Sequence, residues 1–148
     1  METKLSNQTV GNIGLDSGSY QLSRLGWNVM PTTRNARGID LLIYSQDAPT
    51  KLSILVKALS RRNPVPLGKN LDHVFADFFI ICGNAVDDHP RCFVLRPGEV
   101  RRLVHRGEKE GRVSFWLQPR AYDCAPFRDA WDRIGRGDQQ GTPKKAKL

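Results

Sequence analysis

The sequence predicts an α/β fold, with a mixed central β-sheet flanked by helices. Three observations carry this. Leu15, Ser19, Leu22 and Leu25 fall on one helical stripe. Two apolar runs, GIDLLIYS and LSILVKALS, then flank a turn containing Asp47 and Pro49. Three more strand-like runs follow, ADFFIIC, CFVL and VSFWL.

Residues 1–10 read as a loose polar start. Asn12 to Leu25 is the predicted first helix, with Gly26 as its C-cap candidate. Small residues such as Gly18 let this helix lie close to a sheet. Trp27, Val29 and Met30 start a first strand, which Pro31 ends. Thr32 to Arg37 is a basic polar loop. Thr32, Thr33, Arg34, Asn35 and Arg37 have the chemistry to contact phosphate, and a solvated loop is the alternative.

Gly38 leads into the first apolar run, which carries Asp40; the second carries Lys57. Charges are rare in such runs unless they are paired or functional. A turn closing symmetrically around Ala48 and Pro49 sets Ser45 opposite Leu52 and Asp40 opposite Lys57. Both charges then share one face of adjacent antiparallel strands. A slip of one residue would separate them. A structural ion pair is one reading. Buried pairs can often be replaced by apolar residues without loss, so an active site is the sharper one.

Ser60, Arg61, Arg62 and Asn63 follow the Lys57 strand. They are placed to grip a nucleic-acid backbone, or they are a solvated charge run. Pro64, Pro66 and Gly68 predict an irregular loop. Ala76 to Cys82 is a buried strand. Asn84 to Pro90 is a polar turn in which Asp87, Asp88 and His89 are a weak metal candidate. Cys92 to Leu95 is the next strand. Pro97 opens a helix at its favoured first position, with Val100, Leu103 and Val104 apolar and Arg101, Arg102, His105 and Arg106 on the rest. Val113 to Leu117 alternates as a strand. Pro126 to Ile134 reads as a final helix, with Phe127, Ala130, Trp131 and Ile134 in the core. The Lys-rich tail to Leu148, with Lys144, Lys145 and Lys147, reads as disordered.

The chain has 148 residues and a net charge of +8, which suits one domain and a polyanionic partner, most simply nucleic acid. An acidic membrane surface or an acidic protein would fit the charge as well. Cys82, Cys92 and Cys124 form no CxxC pair, so neither a disulfide framework nor a zinc site is expected. Cys82 and Cys92 read as buried thiols. Nothing reads as a signal peptide or a membrane span, and the expected location is cytoplasmic. There is no P-loop, GxGxxG, GxSxG or HExxH.

The stretches GNIGLDSGSYQLSRLGWNV, RNARGIDLLIYS, ILVKALSRRNPVPLG, ADFFIIC, FVLRPGEV and FRDAWDRIG resemble the PD-(D/E)xK nuclease superfamily, with its restriction-endonuclease-like fold. They are similar in particular to small bacterial members of unknown role. The resemblance spans residues 11–135, leaving 1–10 and 136–148 as flexible termini. It implies that Asp40 ligates Mg²⁺ or Mn²⁺ and that Lys57 positions water and stabilises phosphate charge. It further implies a metal-dependent endonuclease acting on DNA; Arg34, Arg37, Ser60, Arg61 and Arg62, read above from their chemistry and position, are then the expected contacts to the nucleic acid. The family's second acidic or amide ligand falls on Leu55, where alternation would aim it at the site; the peptide carbonyl of Leu55 or Val56 is a substitute. A family glutamate on the first helix falls on Leu15, next to Asp16. The alternative is a catalytically degenerate nuclease-fold module, for example in a mobile-element or defence system. A homodimer or a protein partner is also open.

Overall fold

A computed structural model describes residues 4–33 and 38–139. Arg34, Arg37 and the three tail lysines lie outside the described residues.

Helix α1 runs Asn7–Arg24. It starts before the expected Asn12 because the Ser6 hydroxyl accepts the Thr9 N–H at 3.1 Å, capping the first turn. Strands β1 (Asn28–Pro31), β2 (Leu41–Tyr44) and β3 (Lys51–Ala58) follow as an antiparallel meander. Next come β4 (Val65–Gly68), β5 (Phe78–Gly83) and β6 (Arg91–Leu95). Helix α2 (Pro97–Leu103), the hairpin β7 (His105–Lys109) and β8 (Arg112–Leu117), and the short α3 (Pro119–Tyr122) complete the order. A 3-10 turn at Trp131–Arg133 closes it.

The main sheet has the order β1-β2-β3-β5-β6. Only β3 and β5 are parallel in it; the other pairs are antiparallel, so the central sheet is mixed, as predicted. A second sheet has the order β4-β8-β7. One core lies between α1 and the main sheet, around Leu22, Trp27, Ile43, Ile54 and Ile80. The other fills the far face, where Leu55, Phe79, Phe93, Leu95, Leu117 and Tyr122 meet. Phe93 and Tyr122 pack edge to face at 5.1 Å. The Tyr122 hydroxyl donates to the Asn63 carbonyl at 2.7 Å, and burial pushes its pKa up to about 12.

Three expectations change. Val65 to Gly68 is a strand, because Val65 and Leu67 point into the second core while edge position tolerates Pro66. His105 and Arg106 leave the α2 helix and begin β7, which pairs through a tight turn at Glu110 and Gly111, both with positive φ. The final helix shrinks to the single 3-10 turn. Its apolar residues Phe127, Ala130, Trp131 and Ile134 are still buried, but the chain spends its hydrogen bonds elsewhere. Asp129 donates its N–H to the Cys92 carbonyl, and Phe127 accepts the Val94 N–H.

Cys82 and Cys92 are buried free thiols, directly opposite each other on β5 and β6. The hydrogen bond between them and burial both push the Cys92 thiol up.

Helix α1 meets β3 through glycine. A Cβ on Gly14 would lie 2.6 Å from the Ala58 Cβ, so only glycine permits this approach. Nothing lies within 4 Å of a Cβ on Gly11, one turn earlier. Gly14→Val should therefore destabilise the fold by about 2–3 kcal/mol through overpacking, while Gly11→Ala should stabilise it by up to about 1 kcal/mol through helix propensity. Urea unfolding of the two variants checks this pair; equal effects would mean that α1 does not pack here as described.

Candidate functional site at the open edge of β3

The site is built where β2 stops and β3 continues. The β2–β3 ladder pairs Leu41 with Ile54 and goes no further. Strand β3 runs on to Ala58, still paired with β5. At the break, the Asp40 N–H donates to the Ile54 carbonyl at 2.8 Å. The Asp40 carboxylate accepts the Val56 N–H at 2.7 Å. A side chain thus takes the hydrogen bond that the next residue of a regular β2 would have made.

The register differs from the symmetric expectation by two positions. Ser45 pairs with Thr50, and Ala48 adopts a positive φ of 70°, so the turn closes earlier. Asp40 therefore stands beside Val56, not opposite Lys57. No ion pair joins Asp40 and Lys57 among the described residues.

The backbone leading to Asp40 is buttressed. The Thr32 hydroxyl donates to the Ile39 carbonyl at 2.6 Å and the Thr32 N–H donates to the Asp40 carbonyl at 2.9 Å. Thr32, expected on phosphate, is thus occupied in holding the site. Gly38 has a φ of +74°, and a Cβ there would lie 2.7 Å from the His73 carbonyl. The sequence marked Gly38 as a strand start; the constraint comes from the distant His73–Phe75 segment packed over it.

Two clefts adjoin at this edge. The first, about 420 Å³, brings Asn7, Gln8, Asn12 and Leu15 of α1 together with Asp40, Val56 and Ala58. The second, about 870 Å³, includes Lys57, Ser60, Arg61, Pro66 and Asp87. Asn7 and Ala58 line both. The structure therefore brings Asp40 and Lys57 to neighbouring clefts, with Ser60 and Arg61 beside Lys57. Asp87 joins Lys57 from the polar turn, and its contribution could not be located without the fold.

Leu15 lines the Asp40 cleft, where its sequence position suggested. Leu55 does not: it is 6% exposed and packs in the core on the far face. Asp77 is also elsewhere, accepting the Ser53 N–H at 2.8 Å, and Asp72 is exposed. Among the described residues, no group of three or more His, Cys, Asp or Glu side chains converges as a metal cluster. No described helix is long and apolar enough to cross a membrane.

Arg62 turns from the Lys57 cleft. Its Nε donates to Asp123 at 2.8 Å, and Arg128 meets the other oxygen at 3.0 Å. The Arg62 hydrogen bond, aided by Arg128, outweighs burial and holds the Asp123 carboxyl below the usual carboxylate range. The Arg62 side chain remains 52% exposed.

No protein family and no curated protein matches the sequence. Among solved structures, the chain is similar to a bacterial homing endonuclease, I-Ssp6803I, with a TM-score of 0.59 and 17% identity. The likeness covers 88% of this chain and 92% of that one. The fold is nuclease-like.

The Asp123 cluster makes a pH prediction. A depressed folded pKa contributes stability above the unfolded carboxylate value, near 4, that is lost as pH falls through the folded value. Asp123→Asn should weaken the fold at neutral pH and flatten the loss of stability below about pH 4. Thermal midpoints across pH test it; parallel curves for variant and wild type would remove Asp123 from the acid response.

Proposed function

We propose that this chain is a nucleic-acid-binding protein of the PD-(D/E)xK nuclease-like kind, with a phosphodiesterase site for DNA at the open edge of β3. The observation that carries this is the Asp40 carboxylate held against Val56, in a cleft adjoining that of Lys57. The likeness of the whole chain to a homing endonuclease supports it. So does the net charge of +8, since a polyanion is the natural partner of such an excess.

The donor set of the Asp40 cleft fits a weakly held Mg²⁺ or Mn²⁺. Such hard cations take oxygen ligands, and magnesium keeps much of its water. Asp40 brings a carboxylate with one oxygen on the Val56 N–H, and Asn7, Gln8 and Asn12 bring amide oxygens to the same cleft. Asp40 would hold the ion, which supplies a Lewis acid for phosphodiester hydrolysis when bound.

The chain's own groups do the rest. The Lys57 ammonium offsets negative charge developing on the phosphate. Ser60 and Arg61, lining the Lys57 cleft, bind the backbone. Arg62 adds its exposed face while Asp123 fixes its position. Arg34 and Arg37 precede Asp40 in sequence and extend the phosphate contacts.

A second function, a non-catalytic binding module such as a mobile-element or defence protein would use, is favoured by two residues. Leu55 is buried away from the clefts and Leu15 is apolar inside one of them. These are the positions that the family resemblance assigns to further ligands.

Cleavage assays with Mn²⁺ on single- and double-stranded DNA and RNA separate the two. The nuclease predicts cleavage by wild type that Lys57→Ala abolishes while most binding remains. Unchanged cleavage in Lys57→Ala removes Lys57 from the chemistry. Binding that falls steeply with salt, without cleavage of any substrate, selects the binding module.

A further inference from the structure

We infer that the outer face of the second sheet is a stacking platform for a single-stranded nucleic-acid segment, with Trp116 at its centre. This rests on the nucleic-acid binding proposed above. The chain's tryptophans are in unequal positions. Trp27 and Trp131 are 3% and 8% exposed and belong to the core, whereas Trp116 is 37% exposed on a strand surface. Strand β8 explains why: Leu117 points into the second core, so Trp116 must point out.

The indole is tethered at its nitrogen. Its Nε1–H donates to the Ser114 hydroxyl at 2.9 Å, two residues back on the same strand. This bond ties the ring to its own strand, and Trp116 is more than a third exposed. Opposite Ser114 on β7 is Gly107, which adds no side chain to this side of the sheet. An aromatic face binds any base by stacking, without needing a particular sequence.

The surroundings suit a polyanion. Trp116 is flanked by His105 on β7 and Pro66 on β4. His105 lines a shallow cleft with Arg62 and Arg120. Lys109 and Arg112 are paired at the hairpin end and exposed. Pro66 itself lines the Lys57 cleft. The platform is therefore continuous with that cleft, and a strand whose phosphates enter beside Lys57 leaves across Trp116.

A labelled oligothymidylate tests this by fluorescence anisotropy and tryptophan quenching, with a matched duplex alongside. Wild type should bind the single strand with quenching of its exposed tryptophan. Trp116→Ala should bind it about tenfold to hundredfold more weakly with its salt dependence unchanged, and Trp116→Phe should retain most affinity. Arg112→Ala should instead lower the salt slope by about 0.7. Thermal unfolding confirms that the variants fold, as expected for exposed positions. If Trp116→Ala binds the single strand like wild type, or weakens duplex binding equally, the platform is wrong while nucleic-acid binding stands. If wild type binds no nucleic acid even at low salt, both fail.

Discussion

The hydrogen bond from the Val56 N–H to the Asp40 carboxylate is where architecture becomes a site. It is a charge-assisted bond at the end of a ladder, and such bonds are stronger than neutral ones. Because a side chain makes it, β2 stops and β3 projects past it. The projecting backbone, the first turns of α1 and the residues beyond β3 then bound two clefts that share a wall. Gly14 lets α1 approach, Thr32 holds the carbonyls on either side of the break, and Gly38 admits the segment that packs over it. Each of these residues constrains where Asp40 can be.

Much of this was legible in the sequence because the strands have distinctive chemistry. Within ADFFIIC the run FFIIC is all apolar and can only be interior, and every residue of Phe78–Gly83 is buried. The Asp40 and Lys57 strands were visible for the opposite reason, as charges within apolar runs. Their register was not, since it depends on Ala48 adopting a left-handed conformation that alanine does not announce. Nor was the fate of Leu55. Alternation within β3 correctly separates it from Val56, but the break at Asp40 turns that carboxylate toward the Val56 side. Strand β7 and the collapse of the last helix were hidden because long-range pairing overrode local pattern.

The two faces of the main sheet divide the labour. The α1 face carries the Asp40 cleft, and the far face carries the second core and the second sheet. Lys57 lies near the end of β3, and Pro66 both lines its cleft and pairs with Trp116. Arg62, fixed by Asp123, lines the His105 cleft.

The most direct test of this account asks whether Asp40 is a charge at a site or only a strand terminator. Asp40→Asn keeps an oxygen for the Val56 N–H and removes the charge. Calorimetric titration of Mn²⁺, with and without a DNA duplex, should show weak binding to wild type that is lost in Asp40→Asn, with both proteins unfolding at similar temperatures. Equal Mn²⁺ binding by the two proteins, or none by wild type even with DNA present, would contradict Asp40 as the centre of a cation-assisted site.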